Sequence, residues 1–229
     1  MFSDTFLRPI QILLIQKKPL ILKFSFASFL LLGLVYLVGL PAFLAFPKNF
    51  AVLLELGNKF GTISLLFYAL TLLPGILKRL QIFPITQVTL MLFRRQFGIF
   101  MFLFAVNHSG YSLLFPNLAL TGALPIKLST REIFGTIAEF VLFPLFITSN
   151  DLAVRKLGSW WSLVHKLTYI ALLFIFGHIV LLGGELSMKI LTAGLLGAEL
   201  VSWLVHWRRQ KQNQQLQPLP SPTPQLPQV

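Results

Sequence analysis

The chain has 229 residues, of which 55% are hydrophobic and 11% charged, with 23 phenylalanines and a mean hydropathy of +0.77. An ordinary soluble domain carries about 25% charged residues, so this composition excludes that class and indicates an integral membrane protein. The net charge of +12 lies between apolar runs, where it reads as an orientation signal and not as a nucleic-acid surface. The sequence holds no cysteine, which excludes disulfides, thiolate-held zinc or iron–sulfur clusters and a cysteine nucleophile.

In chain order, residues 1–23 mix apolar residues with Arg8, Lys17, Lys18 and Lys23 and are expected to lie along the cytoplasmic interface. Six apolar runs follow, each read as a membrane-spanning helix: Phe24–Phe46, Phe60–Leu77, Phe97–Phe115, Glu132–Thr148, Trp161–Leu182 and Met188–Trp207. The first run is too long for the hydrophobic part of a cleaved signal peptide, which spans roughly 7–15 residues. The fourth run is short and is interrupted by Glu139 and Pro144. Residues 208–229 form a basic, then Gln/Pro-rich tail that is expected to be disordered. Neither a Gly-x-Gly-x-x-Gly loop nor a Walker loop occurs, so a nucleotide-binding module is not expected within these residues.

The cations set the orientation. Arg8, Lys17, Lys18 and Lys23, then Lys78, Arg79, Arg94 and Arg95, then Arg155 and Lys156, and last Arg208, Arg209 and Lys211 fall on one side of a six-span chain. Only Lys48, Lys59, Lys127, Arg131 and Lys189 fall on the other. The positive-inside rule then places both termini in the cytoplasm, whereas five spans would put the last basic cluster outside. The expected fold is all-α: a bundle of six transmembrane helices with residues 24–207 as its membrane domain.

Ionisable groups inside spans are the functional candidates. His108 lies on the third span, His165 and His178 on the fifth, and His206 at the interfacial end of the sixth. The third and fifth spans run in the same direction, and His108 and His178 fall in the outer half of each. Two neutral imidazoles at one depth can ligate a haem iron from both faces. A metal held without haem is the alternative; it calls for nearby carboxylates, and none lies within a turn of either histidine in sequence. His165 sits about 20 Å below His178 along an ideal helix but on a different face, and Gly177 is a candidate irregularity. Arg94 and Arg95 share the depth of His165. They are read as a positive-inside anchor or as a cationic contact to haem propionates, a quinone oxygen or a flavin phosphate. Glu139 and Glu199 either carry protons or bond neighbouring helices. Trp160 and Trp161 are read as part of the aromatic belt.

The stretches RRQFGIFMFLFAVNHSGY and FITSNDLAVRKLGSWWSLVHKLTYIALLFIFGH resemble the ferric-reductase-like transmembrane domain family, and within it the haem-binding membrane subunits of methionine-sulfoxide reductase systems. The matching positions are Arg94, Arg95, Gly98, His108, Tyr111, Thr148, Ser149, Lys156, Leu157, Gly158, Trp161, His165, Tyr169 and His178. Val164 stands where the pattern has leucine, and Arg94 where two-haem relatives have a second histidine. The resemblance implies b-type haem, one by analogy with His108 and His178 as ligands, and a second only if His165 finds a partner. It further implies a quinol or flavoprotein donor, with quinone or FMN as possible cofactors. An exoplasmic reductase partner and a bacterial inner membrane or thylakoid location complete the expectation. A self-standing reductase of ferric chelates or oxygen, and a non-redox transporter or assembly factor, remain as alternatives.

Overall fold

A computed structural model describes residues 4–122, 127–181 and 185–215. The described residues are helical and contain no strand. After a 3-10 turn at Thr5–Leu7 come α1 (Arg8–Gln16), α2 (Lys18–Ala45), α3 (Phe50–Leu80) and α4 (Pro84–Ser109). A π-helical turn, Gly110–Leu114, carries α4 directly into α5 (Phe115–Thr121). Then follow α6 (Thr130–Ile147), α7 (Asp151–Leu157), α8 (Ser159–Val164), α9 (Leu167–Leu181) and α10 (Leu186–Gln215). In lipid every backbone N–H and C=O must be satisfied within the chain, which is why the greasy runs become helices.

Five helical segments are long and apolar enough to cross a membrane: α2, α3, α4 with α5, α8 with α9, and α10. The fourth expected span is α6, which carries Arg131, Glu132 and Glu139 in 18 residues and turns by 89° into α7. Counting that bent pair as one span gives six. The described part of α10 runs to Gln215, so residues 208–215 continue a helix that was expected to end at Trp207. Leu182 and the tail from 216 onward lie outside the described residues. Side chains such as Leu37 (72% exposed) and Phe140 (74%) point outward, where a bilayer covers them.

Helix ends follow local chemistry. Ser129 and Glu132 form a capping box at the start of α6, and the Asn150 side chain accepts from the Ala153 amide to start α7. Gly158 (φ +51°, ψ −121°) makes the corner between α7 and α8 in a backbone conformation that side chains disfavour. The tight α3–α4 turn sets Gln81 and Phe83 at positive φ. The start of α4 is capped from far away: the Asp4 carboxylate accepts from the amides of Ile85 (3.1 Å) and Thr86 (2.7 Å) and from the Thr86 hydroxyl. This bond latches the N-terminal segment onto the bundle.

Helices α3 and α4 pair antiparallel, as do α6 and α9, while α10 packs on α3 and α9, and α2 packs on α4. The shared core joins Tyr68 and Leu72 of α3, Met101 and Phe102 of α4, Leu142 and Leu145 of α6 and Ala171 and Leu172 of α9. Between helices in lipid the attraction comes from close packing and hydrogen bonds, so small residues at the crossings matter. Phe134 of α6 lies against Gly177 of α9, where an added Cβ would come within 2.5 Å of its ring. One charged cluster is buried in the bundle. Arg79 of α3 pairs with Glu199 of α10 and donates to Ser202 (2.8 Å) and to the Tyr169 hydroxyl (3.3 Å). Arg209 in turn donates to the carbonyls of Arg79 and Leu80, closing the end of α3.

Candidate functional site

The two helix pairs each present one histidine, and they do so in the same way. His108 of α4 donates from Nδ1 to the Gly57 carbonyl of α3 at 2.9 Å, and its ring lies over Gly61, one turn further on. His178 of α9 donates from Nδ1 to the Arg131 carbonyl of α6 at 2.8 Å, and its ring lies over Gly135, again one turn further on. A carbonyl oxygen only accepts, so Nδ1 carries the proton in both rings and Nε2 keeps its lone pair. The glycines are spatial requirements: a Cβ would stand 2.9 Å from His108 Nδ1 at Gly61 and 2.8 Å from His178 Nδ1 at Gly135. The π-helical turn begins two residues after His108, at Gly110, and adds a residue to the ring of bonds there.

The imidazole centroids are 6.1 Å apart, with planes at 75°. Metal–imidazole bonds of about 2.0 Å on opposite sides of one atom put the centroids roughly 6.3 Å apart. A cavity of about 570 Å³ opens beside the pair, within the range that holds a cofactor-sized ligand. Its floor is buried and mainly apolar, with Leu65, Met101, Ala138, Leu142 and Tyr68, whose hydroxyl donates to the Thr168 carbonyl. Its mouth is polar, with Asn58, Arg131, Glu132 and Glu185. Among the described residues no three His, Asp or Glu side chains gather as they would around an ion held by protein alone. The donor set of two Nε2 atoms beside an apolar slot fits a haem iron, and among the described residues the cavity's carboxylates, Glu132, Glu139 and Glu185, do not gather with the histidines as a bare metal site calls for.

His165 is built differently. The break in the fifth span falls at His165–Lys166, between α8 and α9, and not at Gly177. His165 Nε2 lies 3.2 Å from the Thr148 hydroxyl, whose own proton goes to the Pro144 carbonyl at 2.6 Å, so Nε2 is the donor and is engaged. The Trp161 ring stacks on His165 at 4.1 Å, and its Nε1 donates to the Thr148 carbonyl at 3.0 Å. Trp161 is thus a support for His165 as well as an interfacial aromatic, while Trp160 is exposed. The two arginines part company: Arg94 donates from Nε to the Thr71 carbonyl at 3.0 Å, and Arg95 pairs with Asp151 at 2.7 Å, tying α4 to α7. Glu199, left open in the sequence, is the partner of Arg79, and Glu139 lines the cavity with its carboxyl on the Ser109 hydroxyl. His206 meets Gln210 on the exposed face of α10.

The glycines Gly57, Gly61 and Gly135, the Arg131 carbonyl and the Arg79 cluster were not singled out as functional from sequence. The only sequence signal for them was a glycine one turn past a potential contact, which carries meaning once the facing helix is known.

The family model described as ferric reductase like transmembrane component matches residues 60–176. The protein-methionine-sulfoxide reductase heme-binding subunits MsrQ of Brucella ovis, Brucella canis and Brucella melitensis are each 37% identical over 114 residues, covering 49% of this chain and 50% of theirs. The matched stretch thus spans about half the length of these curated relatives. No solved structure matches. The matched segment contains every histidine-bearing helix except the final turns around His178 and the last helix, and the chain belongs to the ferric reductase-like transmembrane component family.

Proposed function

We propose that the chain is a b-type haem subunit of the membrane that passes electrons from a cytoplasmic-side or quinol donor to an exoplasmic acceptor. The observation that carries this reading is the matched pair of histidines, each held by Nδ1 to the facing helix's backbone, with centroids 6.1 Å apart. A bound haem supplies a one-electron couple. The chain's own residues do the rest. The carbonyls of Gly57 and Arg131 fix both imidazole planes and keep both Nε2 atoms basic. Leu65, Met101, Ala138 and Leu142 keep water from the floor. The heme-binding name of the MsrQ relatives supports the same cofactor, and the methionine-sulfoxide reductase in that name supports a reductase as the acceptor.

With the basic clusters inward, both termini face the cytoplasm and the histidine pair lies toward the exoplasmic side. The level of His165, Arg94 and Trp161 then lies toward the donor. Its groups suit a quinol or flavin better than a second haem, because His165 Nε2 is committed to Thr148 and Arg94 occupies the place of a further histidine. The test is a visible spectrum and pyridine haemochrome assay on the purified chain. One b-type haem per chain is expected, lost in both His108→Ala and His178→Ala; a wild-type chain that purifies without a Soret band after haem-replete expression refutes the proposal.

A further inference from the structure

Arg131 has a second feature beside its carbonyl. The residue lines the cavity mouth, and among the described residues it is the single lysine or arginine on the cavity wall. Three acids line the same cavity, and each has its own partner. Glu132 closes the capping box on Ser129 with two 2.6 Å bonds, Glu185 accepts from Ser187 at 3.1 Å, and Glu139 lies on Ser109. None of the three forms an ion pair with Arg131; the ion pairs among the described residues join Lys59 to Glu55, Arg79 to Glu199 and Arg95 to Asp151. Among the described residues Arg131 is therefore the cavity's one lysine or arginine; its charge acts on the neighbouring Glu132, but the two form no ion pair.

From this, and resting on the haem reading above, we infer that Arg131 binds a propionate carboxylate of the haem and so selects the free-acid macrocycle. A haem brings two carboxylates into a cavity whose wall already carries three acids, and an ionised carboxylate away from water needs a cation or several donors. The buried floor offers neither, with Leu65, Met101, Ala138 and Leu142 around it. The mouth offers a guanidinium whose planar fork suits a carboxylate. The same residue then serves the site twice: its carbonyl orients His178 from one side, and its side chain holds the ligand's edge from the other.

The test uses the full chain in detergent micelles, reconstituted with protohaem or with protohaem dimethyl ester, and follows haem transfer to excess apomyoglobin. Arg131→Gln is expected to lose protohaem roughly tenfold to hundredfold faster than wild type, the scale of one charged hydrogen bond, while the dimethyl ester leaves both proteins at the same rate. Arg131→Lys keeps the charge and is expected to hold protohaem within a few-fold of wild type. Equal losses of both haems from Arg131→Gln, or no change with either, overturn the inference, as does a lysine variant that releases protohaem as fast as the glutamine one. A wild-type chain that takes up neither haem instead overturns the underlying reading, and with it this one.

Discussion

Replacing Gly135 by alanine adds a single methyl where the structure has no room for it. The new Cβ would lie 2.8 Å from His178 Nδ1 and 3.0 Å from Cε1. Ordinary contact begins near 3.4 Å, so the ring must retreat by about 0.6 Å. That retreat acts on a 2.8 Å hydrogen bond to the Arg131 carbonyl, the one contact that fixes the tautomer and the plane of the imidazole. Gly61→Ala does the same to His108 from the other helix pair, with a 2.9 Å clash. Overpacking of this kind costs about 1–3 kcal/mol, and loss of the hydrogen bond adds about 1 kcal/mol. The expected outcome is a shift of the ferric spectrum from low-spin toward high-spin in each variant, with haem held at least roughly tenfold less tightly. Gly197→Ala on α10, whose Cβ would meet nothing within 4 Å, is the control and should keep the wild-type spectrum. Low-spin spectra and unchanged haem retention in both Gly61→Ala and Gly135→Ala would refute the claim that these glycines seat the ligands.

Three other outcomes are expected. Glu199→Ala leaves the buried Arg79 guanidinium without its carboxylate and should cost about 3–5 kcal/mol of stability, read by thermal unfolding in detergent. The double variant with Arg79→Ala should cost less than the sum of the two single changes. Gly158→Ala forces a side chain into a corner at φ +51°, ψ −121° and should cost about 1–3 kcal/mol in the same assay; an unchanged midpoint contradicts that account of the corner. Burial pushes the Asp4 carboxyl up, but the Thr86 hydroxyl and the amides of Thr86 and Ile85 outweigh it and hold it below the ordinary aspartate range. The latch is then complete above that ordinary range and opens only as pH falls through the lowered value. Hydrogen exchange over residues 5–16 should stay protected at neutral pH, rise in acid, and be high at every pH in Asp4→Asn; equal protection in that variant at neutral pH removes the latch.

The helices and the histidine pair were legible because they are one-dimensional signals. Apolar run length gives a span, and His108 and His178 count to similar depth from the ends of their own runs. The bent fourth span was visible in part, through Glu139 and Pro144, yet its 89° turn falls in the break before Asp151, where the Asn150 side chain caps the start of α7. What seats the histidines was not legible. Gly61 and Gly135 acquire their role only when α3 faces α4 and α6 faces α9, and a backbone carbonyl such as that of Arg131 leaves no residue-type signature at all. The nonequivalence of His165 had the same origin. The count of thirteen residues from His178 put it on another face, but the break at His165–Lys166 and the Thr148 bond decide which nitrogen is free. Asp4 lies 81 residues from Ile85, far beyond any local capping pattern.

The central claim is that His108 and His178 together ligate one iron with their planes held apart by two backbone anchors. Low-temperature electron paramagnetic resonance of the oxidised full chain tests it most directly. Nearly perpendicular imidazole planes, 75° here, leave the iron's two π-type d orbitals close in energy. The account therefore predicts a strongly anisotropic low-spin ferric signal that disappears in His108→Ala and in His178→Ala. A high-spin signal in the wild-type chain, or a low-spin signal that survives either substitution, contradicts it.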